Sequence, residues 1–274
     1  MTRWFGTVLV AALAIMLAFL VVPLVALFSR VPPATLLAEL ASEPALDALW
    51  VSVKTAVVAH AVVLLVGTPA AYFLATRMFR GRSLVVAAIE LPLVLPPAVA
   101  GLALLATFGR RGLLGGTLDA AGVSIAFTQL AVVLAVIFVA SPFYVRGAIA
   151  AFETVDRPLL DAARTLGASP LRRFARIALP LAAPGLGSAS ALAWARGLGE
   201  FGATIMFAGS LQGVTQTLPL AIYAQLDVDR EIAISIGALL VLVSVAVLAL
   251  TKLLPSWTRS RSVSVTGFAR STST

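Results

Sequence analysis

The sequence predicts an all-α membrane protein with six transmembrane helices, and three observations carry that prediction. Hydrophobic residues fill 60% of the 274 positions and charged ones only 12%, against about half and a quarter in soluble domains. The apolar residues gather into six runs of about 20 residues or more, the length a helix needs to cross a bilayer core of roughly 30 Å. The basic residues, finally, are distributed unevenly among the segments between those runs, as happens when a bilayer sorts loops by charge.

The first run, Trp4–Phe28, follows Arg3 as a secretory signal would. Its apolar stretch exceeds the roughly 7–15 residues of a signal core and no small-x-small cleavage site follows, so it reads as a first membrane helix. After the polar loop Ser29–Leu49 comes the second run, Trp50–Leu74, which holds Lys54 and the one histidine, His60. A lone histidine cannot build a metal cluster; a hydrogen bond to a neighbouring helix is expected. The basic turn Ala75–Ser83 leads into Leu84–Phe108, whose "ELPLVLPPAVAGLALL" has three prolines in its first half. That predicts an irregular or kinked helix. Broken backbone at membrane depth survives only where protein or water surrounds it, which favours an interior position; a kink needed for packing alone is the other reading.

The loop Gly109–Thr128 precedes the fourth run, Gln129–Ala151. A long charged segment, Phe152–Ala182, separates it from the fifth, Ala183–Ala208, and the loop Gly209–Glu231 leads to the last, Ile232–Leu254. The tail Pro255–Thr274 is rich in Ser, Thr and Arg and is expected as a disordered, solvated end. Residues 1–254 thus read as one transmembrane domain with no separate soluble domain.

The charge pattern fixes an expected topology. Arg3, the arginines of the Ala75–Ser83 turn, those of the Phe152–Ala182 segment and those of the tail share one side. Only Arg30, Arg110, Arg111 and Arg230 fall on the other, with the acids Glu39, Glu43, Asp47, Asp119, Asp227, Asp229 and Glu231. By the positive-inside rule both termini are cytoplasmic, and the net charge of +8 reflects topology rather than nucleic-acid binding. With no cysteine in the chain there is no disulfide, thiolate metal site or thiol nucleophile. The only lysines, Lys54 and Lys252, follow no glycine-rich loop, so no Walker A motif is present and any ATP must bind another chain. No serine triad or paired-carboxylate set stands out, which argues against an enzyme. "GLGEFG" (Gly197–Gly202) fits G-x-G-x-x-G, yet it lies inside an apolar run and not after a strand, so it is no dinucleotide fingerprint.

That stretch does hold the most informative charges. Arg196 and Glu200 are four apart, deep in the fifth run. Ionisable groups there are costly and normally face a protein interior or a watery cavity. Arg196, Gly199, Glu200, Gly202 and Thr204, with Thr204 on the same face as the charges, are the candidate lining or gate of a pathway. The competing reading is a self-paired couple that merely tolerates burial. Glu90 is an alternative partner for Arg196. The glycines suit close helix approach or local unwinding.

The charged segment Glu153–Ala182 is the strongest signal. In "DRPLLDAARTL", Leu159, Leu160, Ala163 and Leu166 can share one face of a short helix, with Asp156 as N-cap and Pro158 in the first turn. Gly167 ends that helix, and Ser169-Pro170 starts a second whose stripe is Leu171, Phe174 and Ile177 or Ala178. Pro180 and Pro184 are expected to turn the chain into the next span. Such a helix pair is either a docking knob or an interfacial pair resting on anionic lipid.

The spacing separates these readings. Asp161-Ala162-Ala163, three residues, Gly167, nine residues, then Ile177-x-Leu179-Pro180 resembles the E-A-A-x-x-x-G-x(9)-I-x-L-P signature of ABC importer permeases, with Asp161 in place of glutamate. "LPLVLPPAVAGLALL", "FGRRGLLG" and "ARGLGEFGATIMFAGSLQGVTQTLPLAIY" extend the likeness over nearly the whole chain to permeases for tetrahedral oxyanions. "GEFGATIMFAG" with "TQTLPLAIY" is most similar to molybdate permeases.

The resemblance implies a type I ABC importer permease in a prokaryotic plasma membrane, its segment 153–182 coupling to the ATPase through Asp161, Ala162, Ala163, Gly167, Ile177, Leu179 and Pro180. It implies two ATP-binding cassette subunits, an extracytoplasmic molybdate-binding protein and a permease homodimer as partners. No cofactor is bound directly; ATP and Mg belong to the ATPase. The alternatives are a permease for sulfate, thiosulfate or tungstate, or, in another class, a passive channel or membrane scaffold.

Overall fold

Long apolar sequences free of charge have one economical conformation in lipid, the α-helix, which satisfies its own backbone hydrogen bonds. The computed structural model describes residues 3–259, and every regular element among them is helical. In chain order these are α1 (Arg3–Ser29), α2 (Pro33–Leu40), α3 (Glu43–Thr76), α4 (Arg82–Val94), α5 (Pro97–Phe108), α6 (Gly115–Ala120) and α7 (Gln129–Glu153). They are followed by α8 (Arg157–Thr165), α9 (Pro170–Leu198), α10 (Gly202–Ala208), α11 (Leu218–Gln225) and α12 (Arg230–Arg259). Of the tail expected from Pro255, residues up to Arg259 continue α12 and the remainder lies outside the described residues.

Four of the six apolar runs are single helices, α1, α3, α7 and α12; the other two are broken. The third run is α4 and α5, bent by 113°. The break falls where the prolines predict it. Leu95, which precedes Pro96-Pro97, is extended (φ −72°, ψ 134°), because a residue before proline is pushed out of the helical region. Among the described residues five helices are therefore long and apolar enough to cross a membrane, or six if the bent pair counts as one span.

The fifth run departs from expectation at both ends. It begins earlier, because α9 runs through Pro180 and Pro184 without turning. A five-residue π-helical stretch, Phe174–Ala178, sits just ahead of Pro180. The wider turn gives the proline ring room and absorbs its missing N–H, which a regular helix would register as a clash and a lost bond. It also ends earlier, at Leu198, with α10 resuming at Gly202.

The chain folds into two units. One comprises residues up to Thr55, Gly101–Val132 and Phe201–Val243. Its core includes Ala45, Ala48, Leu218, Ala221 and Ile236, which join α3, α11 and α12. Thr217 stands at the N-cap of α11, yet its hydroxyl makes no capping bond. Ser52 of α3 takes that place, its Oγ accepting the Leu218 N–H at 2.7 Å, so one of the orphan donors of a helix start is satisfied from another helix. The strongly apolar α1 is exposed along its candidate span, a surface that only lipid or another chain can cover.

The other unit comprises Ala56–Ala100, Val133–Glu200 and residues from Ser244. Here α7 and α9 touch through small residues. A Cβ on Gly147 would stand 2.6 Å from the Ala189 Cβ, and one on Gly185 would stand 2.6 Å from the Ala151 Cβ. Small residues at such a seam let two backbones approach where lipid offers no hydrophobic drive for association. His60 fulfils its expected role in this unit: its Nε2 shares a 2.7 Å hydrogen bond with Ser190 Oγ, tying α3 to α9.

Gly185→Val is expected to destabilise the folded chain by about 1–3 kcal/mol, the usual cost of forcing bulk into a packed seam. Gly187→Ala, where an added Cβ meets nothing within 4 Å, is expected to be neutral. Midpoints of thermal unfolding in detergent check both.

Candidate functional site

The segment 153–182 lies wholly in the second unit and is built as a helix pair hinged at a glycine. Asp156 occupies the N-cap of α8, though it contributes its backbone carbonyl, which accepts the Leu159 N–H at 3.2 Å, and no side-chain bond. At the other end Gly167 takes φ +79°. Its N–H donates to the Arg164 carbonyl (3.0 Å), and the Ala168 N–H donates to the Ala163 carbonyl (2.9 Å). This is a Schellman closure, in which the left-handed residue must avoid a Cβ clash. Ser169 then caps the next helix, its Oγ accepting from the Arg172 N–H at 3.3 Å.

One side of this pair is anchored. Leu160 and Ala178 are buried with Ala71, Leu74, Ala75, Phe152 and Val155, and Phe174, Ile177 and Leu179 pack against the same cluster. The Tyr72 ring lies 5.3 Å from Phe152 and 4.9 Å from Phe174, so α3, α7 and α9 meet in one aromatic group. The other side is open. Leu166 is 87% exposed and Leu171 74%, so the expected faces close only in part: Leu159, Leu166 and Leu171 turn away from the core. Asp161, Ala162, Gly167 and Pro180 are exposed and Ala163 is half-buried. Arg82 braces the base of the segment, donating from Nε to the Leu74 carbonyl (2.7 Å) and pairing with Glu153 (2.8 Å).

The second cluster is at the end of α9. Arg196 pairs with Glu200 at 2.8 Å, and Glu200 is only 2% exposed. Glu90, the alternative partner, pairs instead with Arg146 at 3.5 Å. The helix stops between α9 and α10: Gly199 is the C-cap, the Glu200 N–H donates to the Gly197 carbonyl (3.2 Å), and Phe201 has left helical geometry (φ −124°, ψ −53°). The glycine stretch therefore unwinds the chain inside the fifth apolar run. This break also corrects one expectation: Thr204 belongs to α10 and cannot share a helical face with Arg196 and Glu200. It is fully buried in the first unit, and its hydroxyl has no hydrogen-bond partner among the described residues. Beside the pair, His60 and Trp194 meet edge to face with centroids 4.8 Å apart. They line a cavity of about 10 Å³, near the smallest that holds one water.

Apolar helices long enough to cross a membrane, one bent pair among them and an ion pair with a buried carboxylate beside a second break are the architecture of a multi-pass membrane protein. Residues 65–260 match the family described as the binding-protein-dependent transport system inner membrane component. The chain belongs to this family, and it is a membrane permease subunit of an ABC importer.

Three relatives show the depth of the likeness. The chain is 47% identical over 229 residues to a molybdenum transport system permease protein of Mycobacterium tuberculosis, covering 84% of this chain and 87% of that one. It is 39% identical over 217 residues to the molybdenum transport system permease protein of Escherichia coli K12 (79% and 94%). It is 32% identical over 246 residues to a probable transport system permease protein of Clostridium pasteurianum (89% and 85%). Among solved structures, a bacterial ABC transporter involved in the import of the polysaccharide alginate has the same fold, with TM-score 0.69, 16% identity and coverage of 95% and 96%. The inward-facing MetNI methionine ABC transporter aligns at TM-score 0.59 and 20% identity over 78% of this chain and 97% of that one.

The buried pair generates an asymmetric expectation. Arg196→Met removes the cation beside a buried carboxylate and is expected to cost on the order of 3 kcal/mol. Glu200→Gln leaves a neutral amide and should cost clearly less. Thermal inactivation of the detergent-solubilised protein orders the two; an equal or reversed order contradicts the pairing.

Proposed function

We propose that this permease forms the membrane pathway of an ATP-driven molybdate importer. The observation that carries the reading is the 47% identity to a molybdenum permease over 84% of the chain, together with an anchored helix pair whose outer face is bare. On this reading both termini are cytoplasmic, two copies of the chain line the pathway, and an extracytoplasmic binding protein delivers the anion. The membrane is the prokaryotic plasma membrane. The permease holds no cofactor, and ATP with Mg is bound by separate cassette subunits.

The segment 153–182 has the build that such docking requires. Asp161, Ala162 and Gly167 offer a small-residue outer surface beside exposed Leu166. Ile177 and Leu179 hold the pair to the membrane helices on the inside, with Pro180 at the start of the regular helix that follows. A push on α8 is passed through Leu160 and the Tyr72–Phe152–Phe174 group to α3, α7 and α9, which supports rigid-body rocking of the core helices in alternating access.

The pathway reading rests on Arg196, Gly199, Glu200, Gly202 and Thr204 around the unwound stretch. Because Arg196 is matched by Glu200, the site presents no net positive charge to a dianion. It therefore suits transient passage, and the selectivity sits mainly in the binding protein. Tight binding at this point would also slow release.

Two measurements test the reading. Gly167→Val forces a β-branched residue into the left-handed backbone at φ +79°, a conformation such residues avoid. It is expected to abolish co-purification of the ATPase and uptake; normal assembly and uptake would contradict the docking role. In cells, uptake of labelled molybdate is expected to persist under a large excess of sulfate, and efficient competition by sulfate would overturn the assignment of the anion.

A further inference from the structure

A helix of seven residues has too few internal bonds to hold its shape alone, yet α10 is among the most buried elements of the first unit. Ala203, Thr204, Phe207 and Ala208 have no exposed surface. Its position is set from several sides. On α5, a Cβ at Gly101 would stand 2.5 Å from the Ala203 carbonyl and 2.8 Å from the Met206 Cβ, so the two backbones nearly touch. Phe108 of α5 packs its ring 6.3 Å from that of Phe207. Phe201, just before α10, meets Tyr223 of α11 at 5.4 Å.

The C-terminal end is held differently. The last carbonyls of a helix lack intrahelical donors. One of them, on Phe207, accepts the N–H of Phe127 at 3.2 Å. Phe127 delivers that N–H from φ +61°, and it is the one non-glycine with positive φ among the described residues. For a bulky residue this is a true outlier, costing of order 1–3 kcal/mol unless its surroundings enforce it. The same twist lays the Phe127 ring against Gly209, the cap of α10: a Cβ there would stand 3.3 Å from the ring edge. Gly209 itself has φ +69°, and its N–H donates to the Ile205 carbonyl at 3.2 Å. Phe127 thus supplies one bond and one ring contact to a single helix end. The neighbouring loop also lines, with Leu105, Phe108 and Ile125, a cavity of about 280 Å³.

We propose that Phe127 is a positioning residue of the transport pathway: its left-handed backbone and its ring clamp the C-terminal end of α10 and thereby keep Thr204 sealed from water. An unclamped α10 would lose its last turn, and the single turn left, which carries Thr204 as the third of the seven residues, has too few internal bonds to hold its shape and cover that side chain. The proposal rests on the reading of Thr204 as a pathway residue, but its test does not depend on which anion is carried or on where the ATPase docks.

The chain has no cysteine, so Thr204→Cys provides a single reporter in the full-length permease, assembled in membrane vesicles. Modification by a small water-soluble maleimide is expected to be slow with Phe127 in place. Phe127→Asn keeps a residue that tolerates positive φ but removes the ring; it is expected to speed labelling roughly tenfold or more by making local opening easier. Phe127→Gly is expected to do the same, and Phe127→Tyr to restore the slow rate. A second reporter, Ser235→Cys, sits fully buried in α12 of the same unit and is expected to stay protected in every background. Unchanged labelling at 204 in both the Asn and Gly variants overturns the proposal. So does fast labelling with Phe127 intact, or equal deprotection at 235, which would mark Phe127 as general structural support.

Discussion

Backbone hydrogen bonding without water is the constraint on which the rest of this structure depends. In a bilayer a helix can be interrupted only where something else satisfies the freed groups. Two of the six apolar runs are interrupted, and both breaks are provided for. At Leu95–Pro96 two consecutive prolines bring no N–H to the break. At Gly199–Phe201 the Glu200 N–H returns to the Gly197 carbonyl while its carboxylate meets Arg196. The interruptions are thus local and specified, and the second falls beside the charges that a transport pathway would use.

On the proposed function the segment 153–182 transmits force, and the same rule suits it to that role. Its turn is closed by two backbone bonds around Gly167, so the helix pair is stiff at the hinge where a loop would be slack. Its inner face is part of the principal apolar cluster of the second unit, through Leu160, Phe174, Ile177 and Leu179. Packed cores shift between discrete arrangements and deform little continuously. On that reading a displacement imposed on the knob is passed to α3, α7 and α9, which share its apolar cluster.

Much of this was legible in the sequence. Run length gave the membrane helices, and Gly167, Ser169 and Pro170 gave the helix pair almost residue by residue, because caps and left-handed turns have strong residue preferences. A lone His60 in an apolar run points to a helix–helix bond, and Ser190 supplies the partner. What escaped were features that depend on tertiary context. Pro180 looked like a turn because the π-helical stretch that accommodates it has no sequence mark. Thr204 shares a face with Arg196 and Glu200 only if one helix continues across Gly199–Phe201, and it does not. Leu166 and Leu171 belong to apolar faces by periodicity and are bare, since periodicity cannot say whether such a face is covered by the chain itself or by a partner. Phe127 gave no signal, for phenylalanine is not a residue that advertises a left-handed backbone. Ser52 was detectable only as a lone hydroxyl in an apolar run.

On the proposed function, the bare face around Leu166 is where the ATPase pushes. The most direct measurement places one cysteine there, Leu166→Cys, in a chain that has none of its own, and co-expresses it with the cassette subunit carrying single cysteines around its permease-facing groove. Bifunctional cross-linking in membranes is expected to give a permease–ATPase product whose yield changes when ATP is added. A product absent at Leu166 under both conditions, while a cysteine on the exposed helix α1 cross-links readily, would contradict the account.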